Sequence, residues 1–123
     1  MANPNIVNVS TINGQTVTAT LTTSSASIVS NAASSGKIYK VSTIVASNID
    51  GTNNADVTVA INSSAAGAGS DKFLTKAITV PKDSSLVIID KNSSFYLLED
   101  KSITALASAN SDLDITISYE EIS

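Results

Sequence analysis

The sequence predicts an all-β protein: a single-domain antiparallel β-sandwich, jelly-roll or immunoglobulin-like, of eight to ten short strands. Three observations carry this expectation. Val, Ile and Thr number 10, 14 and 13 among 123 residues, and such β-branched side chains pack well on a pleated sheet but lose rotamer freedom in a helix. Several segments alternate apolar and polar residues with a period of two. Turn signals recur at intervals of about ten residues, the spacing of short strands in a sandwich or jelly roll.

Taken in order, residues 1–5 (MANPN) read as an extended arm, because Pro4 lacks a donor and biases Asn3 away from helix. TVTATLT (16–22) places Val17, Ala19 and Leu21 on one face and threonines on the other. KIYKVSTIVASNI (37–49) is expected to share Tyr39, Val41, Val45 and Ile49 on one face, with Lys40, Ser42 and Ala46 on the other. ADVTVAI (55–61) points Val57, Val59 and Ile61 inward. SDLDITISYE (111–120) alternates most cleanly, with Leu113, Ile115, Ile117 and Tyr119 inward. Between these lie NG at 13–14, SSG at 34–36, DG at 50–51, GAGSD at 67–71 and later Pro- and Asp-rich turns. SSAAGAGSD (63–71) has two glycines and no apolar stripe, which predicts a mobile loop rather than a helix. No linker divides the chain, so 1–123 is read as one domain.

The missing residue types narrow the function. The chain has no Cys, His, Trp or Arg, which removes disulfides, thiolate and imidazole nucleophiles, the common zinc ligands and the guanidinium fork. A net charge of −4 with seven scattered lysines gives no basic stripe for a phosphate backbone, so no direct nucleic-acid partner is expected. The N-terminus has neither a basic region nor a continuous apolar one, and no apolar run approaches a membrane span. Synthesis in the cytosol without a membrane partner is expected.

NIDGTNNADVTVAI (48–61) gathers Asp50, Asn53, Asn54 and Asp56, an oxygen-rich run that invites comparison with a calcium loop. The template D-x-[DN]-x-[DN]-G-x5-E fails here: counted from Asp50, its Gly position is Ala55 and its bidentate Glu position is Ile61. The oxygens are therefore expected to serve a turn, with Asp-Gly as a hairpin signal joining a strand ending near Ser47 to one starting near Ala55. Asp112 with Asp114, or Glu120 with Glu121, could supply acid and base. Asp112 and Asp114 lie on a wet face, however, and five aromatic residues give a sugar little to stack on. The expectation is no enzyme, no cofactor and no metal site.

SLVIID and SFYLLE break the alternation. Unbroken apolar runs, Leu86, Val87, Ile88 and Ile89, then Phe95, Tyr96, Leu97 and Leu98, imply strands covered on both faces. A sandwich covers one face only, so either the chain's own loop or another subunit covers the second. These eight residues, with Pro4 of the arm and Ile6 just after it, are the interface candidates.

NAASSGKIYKVSTIVASNIDGTNNADVTVAI, followed by VPKDSSLVIIDKNSSFYLLEDKSITALASANSDLDITISYEEIS, resembles small β-rich virion structural proteins of tailed bacteriophages, of the marine phage and cyanophage type. The likeness spans about 100 residues, from near 25 to the end, and consists of β-pattern and turn chemistry. It implies a non-enzymatic structural protein in the virion, most directly a capsid decoration or cement protein whose partner is the major capsid protein. A head-to-tail neck or tail accessory protein is the alternative. It also implies a homo-oligomer, for which capsid geometry suggests a trimer. A receptor- or glycan-binding β-sandwich, with DGTNNAD and GAGSD as its rim, is the alternative from a different class.

Overall fold

The cleanest period-two segment forms the strand around which one sheet is built. In the computed structural model, which describes residues 7–123, the strands are β1 (Ile12–Thr20), β2 (Ala26–Asn31), β3 (Ile38–Asn48), β4 (Ala55–Asn62), β5 (Asp71–Val80), β6 (Ser85–Ile89), β7 (Phe95–Leu97), β8 (Lys101–Ala107) and β9 (Leu113–Ile122). A 3-10 turn at Lys91–Ser93 separates β6 from β7. One sheet runs β1-β9-β3-β6, with β7 also on β3, and the other runs β2-β8-β4-β5. All pairings are antiparallel.

With β7 set aside, the first strand pairs with the last, β2 with β8, β3 with β6 and β4 with β5. This nested pairing, shared between two sheets, is jelly-roll order rather than immunoglobulin order. The core lies between the sheets, where Val41, Ile44, Val57, Val59, Ile103, Ile115 and Ile117 are fully buried. Leu113, Ile115 and Ile117 face inward as their alternation predicts, and Tyr119 packs half-buried against the same core.

Four local expectations are corrected. In β3, Ser42 is an extra residue against β9: Val41 pairs with Tyr119, but Thr43 pairs with Ser118. A one-residue bulge moves every later side chain to the opposite face. Tyr39 and Val41 are buried as expected, but beyond the bulge Ile44 and Ala46 are the buried residues, Val45 faces outward and Ile49 is exposed. Asn13-Gly14 is no turn; it lies within β1, paired to Glu121 and Glu120. Asp50-Gly51 closes no hairpin, because β3 and β4 belong to different sheets. It forms a corner between sheets.

The fourth correction concerns residues 63–70, which fold down over the outer face of the second sheet. Ser102 Oγ donates to Ser64 O (2.7 Å), Ser30 Oγ to Ala65 O (2.8 Å) and the Ala65 N–H to an Asp100 carboxylate oxygen (3.3 Å). Gly67, at φ 78°, sits where a Cβ would meet Ser27 and Thr104. Underneath, Ala60, Asn62, Ser102 and Thr104 are buried on the outward side. The doubly covered strand is thus β8, which the apolar pattern did not single out because its covered outer face is polar.

Candidate assembly interface

The oxygen-rich corner is held by its own bonds. An Asp50 carboxylate oxygen accepts from the Thr52 N–H (2.7 Å) and the other accepts from Asn53 Nδ2 (3.2 Å). The Thr52 backbone bond is the main reason the Asp50 carboxyl titrates below its usual value. Asn54 Oδ1 accepts from the Lys82 N–H (3.0 Å), and an Asp56 oxygen accepts from Thr79 Oγ1 (2.7 Å). Among the described residues, no group of three or more acidic side chains converges as a cation site would require. Asp114 accepts from Thr20 Oγ1 (2.8 Å), while Glu121 is ion-paired with Lys37.

The connections that place these loops depend on three buried asparagines that pattern reading passed over. Asn31, Asn48 and Asn62 end β2, β3 and β4 and are 0%, 4% and 1% exposed. Each side chain serves both as donor and acceptor to the chain that leaves its strand. Asn31 Nδ2 reaches Lys37 O (2.9 Å) and Leu97 O (3.2 Å) while its Oδ1 accepts from Ser35 Oγ (2.6 Å). Asn48 Nδ2 reaches Asn53 O (3.0 Å), and its Oδ1 accepts from the Asp50 N–H (2.9 Å). The available signal is an Asn at the end of an apolar strand just before a turn cluster.

The interface candidates separate into three groups. Ile89 and Leu97 are buried core residues, and Leu86, Ile88 and Phe95 are half-buried against that core. Val87, Tyr96 and Leu98 are exposed, by 58%, 42% and 40%. Pro4 and Ile6 lie outside the described residues.

Register explains the pattern. Val87 pairs with outward Val45, and Tyr96 pairs with Lys40, which lies between inward Tyr39 and Val41. In β6 the pairing steps from Ile89–Ile44 to Val87–Val45, leaving Ile88 as a bulged extra residue. The run Leu86 to Ile89 is therefore alternation plus one insertion, not a strand buried on both faces. Its outward member, Val87, has no cover from this chain's described residues. Phe73 and Ile78, on β5, are exposed along the adjoining border of the other sheet, with Lys76 Nζ 4.9 Å from the Phe73 ring centroid. Exposed apolar side chains on these two adjoining borders are suited to burying surface against a partner.

The depressions on the surface are open and lined mainly by hydroxyls, one by Thr18, Ala19, Thr20, Asp114 and Thr116, another by Ser47, Asn48, Ile49, Asp83, Ser84 and Ser85. The fold and this surface together define a two-sheet jelly-roll β-sandwich with an uncovered apolar border. No family model matches the chain, and no curated protein matches it. Among solved structures it is similar to a chain described as "Bacillus endospore appendages form a novel family of disulfide-linked pili", with a TM-score of 0.55 at 17% identity over 100% of this chain and 96% of that one. At that identity the likeness is one of fold. This chain has no cysteine with which to form a disulfide.

Proposed function

We propose that this protein is a non-enzymatic structural subunit of a multi-copy particle, seated on its neighbour through the outward face of β6 and β7. The observation that carries the reading is the exposed trio of Val87 on β6, Tyr96 on β7 and Leu98 just past β7, beside Ile89 and Leu97, which are buried in the core. Two further points support it. The polar corner residues that could have converged on a ligand are engaged in bonds within the turn, across β4 and β5, and to the Lys82 backbone, and the same jelly-roll fold occurs in a protein described as part of pili.

The resemblance of the sequence to tailed-phage virion proteins supports reading the particle as a virion and the partner as its major capsid protein, with this chain as decoration or cement. Modest apolar contacts suffice for such a role, because repeated display multiplies weak binding. The test is incorporation of Val87→Asp and Tyr96→Asp variants into particles lacking the native protein, followed by electron microscopy. Folded variants should fail to bind, and hundreds of copies of the native protein should lie on the head. Normal incorporation of both variants would end the interface reading; a dozen or fewer copies at the neck or tail would replace the decoration role with the accessory one.

A further inference from the structure

The borders of the two sheets are β1 and β6–β7 in one, and β2 and β5 in the other. An unpaired strand edge is a template for another strand, and edges that are not used are blunted by charge, bulges or brevity. Three of these borders are blunted. β5 carries Lys72 and Lys76, shifts register twice against β4 and contains Ala77 at φ 51°. β2 has six residues and a register shift between Ser27 and Val29. β6 and β7 are short and separated by the 3-10 turn.

β1 has none of these devices. Its nine residues, INGQTVTAT, include no charge and no proline, and they pair with β9 in unbroken register from Ile12–Ile122 to Thr20–Asp114. The direction of its free groups follows from the ladder. Thr11 and Ser123 exchange both backbone bonds, each 3.0 Å, and at the other end the Leu21 N–H donates to Leu113 O (2.8 Å). Hydrogen-bonded pairs alternate along an antiparallel ladder, so the odd-numbered residues of β1 bond to β9. Ile12, Gly14, Thr16, Thr18 and Thr20 therefore direct their N–H and C=O groups to the edge that no other described strand pairs with. Val17 and Ala19, although inward, stay half-exposed.

We infer that β1 is a self-association strand: two copies of the chain pair β1 with β1, antiparallel, about a twofold axis at Thr16. Two identical antiparallel strands are related by a twofold by construction. Centring on Thr16 places Ile12 opposite Thr20, Gly14 opposite Thr18 and Thr16 opposite its own copy, so the whole strand is used. Even positions meet even positions, and the outward groups match as roughly ten hydrogen bonds between copies. No like charges meet along β1, and the neighbouring Asp114 is already held by Thr20. An edge without charge has nothing with which to select a charged partner strand, yet it is complementary to itself. The inference is independent of the β6–β7 surface, which lies at the opposite border of the same sheet.

Sedimentation velocity of the full chain across the micromolar range is the test. The native protein should show a concentration-dependent dimer. Thr16→Lys and Thr16→Pro, each confirmed as folded by circular dichroism, should weaken it about tenfold or more, a cost of about 1.4 kcal/mol, while Val87→Asp should leave it intact. Because the chain has no cysteine, a short thiol cross-linker should join two copies of Thr16→Cys but not of Ile78→Cys. A protein that stays monomeric, a dimer untouched by Thr16→Lys, or cross-linking of Ile78→Cys instead of Thr16→Cys would overturn the assignment.

Discussion

Asn48 Nδ2 donates to Val80 O at 2.9 Å, so the last residue of β3 in one sheet is bonded to the last residue of β5 in the other. Its second bond, to Asn53 O, fixes the corner that leads into β4. A buried amide that joins two sheets leaves carbonyls without partners when it is removed. Asn48→Ala should therefore lower stability by about 2–3 kcal/mol, read as a lower urea midpoint with an unchanged slope. A loss within error of zero would show that water replaces the amide at this corner.

Asn62 does the same work for the loop over the second sheet. Its Oδ1 accepts from the Ser64 and Gly69 N–H groups (3.0 and 2.9 Å), and its Nδ2 donates to Gly69 O (3.1 Å) and Asp71 Oδ1 (2.7 Å). Asn62→Ala should release residues 63–70 and expose the polar outer face of β8. Hydrogen exchange should then rise at Ala65, Gly67 and Gly69 while the amides of Ile115 and Ile117 stay protected. Gly69→Ala should act in the same direction, because its Cβ would lie 2.1 Å from Ser63 Oγ and 3.1 Å from Asn62 Oδ1. Unchanged exchange in both variants would mean that the loop is held by its other bonds alone.

These asparagines mark the boundary of what the sequence makes legible. Alternation placed Leu113, Ile115 and Ile117 inward because an unbroken ladder preserves a period of two. In β3 the same reasoning misplaced Val45 and Ile49, since the extra residue Ser42 leaves no signature in the hydrophobic pattern while reversing everything beyond it. Asn13-Gly14 looked like a turn because local preference favours one; pairing with Glu120 and Glu121 of β9 overrides that preference. The β6–β7 border was legible as an anomaly of composition, but which of its residues are uncovered depends on register with β3. The open edge of β1 could not be read at all, because being an edge is a property of neighbours.

The corner at Asp50 yields a prediction about metal. Its carboxylate is occupied by Thr52 and Asn53, and the lowered pKa means that the ionised form is favoured by folding. That contribution is present above the unfolded value, near 3.8, and is lost as pH falls through the lower folded value. Asp50→Asn should remove this part of the acid sensitivity. Millimolar calcium should leave the melting temperature of the native protein unchanged. A calcium-dependent rise that disappears in Asp50→Asn and in Asp56→Asn would replace the turn role with a cation site.

At alkaline pH the stacked pair Tyr39 and Tyr119, with ring centroids 4.9 Å apart and planes inclined by 23°, should govern stability together with Lys37. Burial raises both phenol pKa values above their usual 10.0, with the Glu121 carboxylate adding to the effect. Lys37 is raised above 10.5 mainly by its hydrogen bond to Glu121. In each case the folded state holds the proton more tightly than the unfolded chain does. Their contribution is complete below pH of about 10 and declines as pH rises through the folded values. Urea midpoints should be level from pH 8 to about 10 and then fall. Tyr39→Phe removes one ionisable phenol while keeping a ring in the stack, so its midpoint should decline less steeply above pH 10. Phenolate absorbance should show the corresponding loss of a late-titrating tyrosine. A midpoint that holds level or rises above pH 10 in the native protein, or a Tyr39→Phe curve parallel to it, would refute this account of the pair.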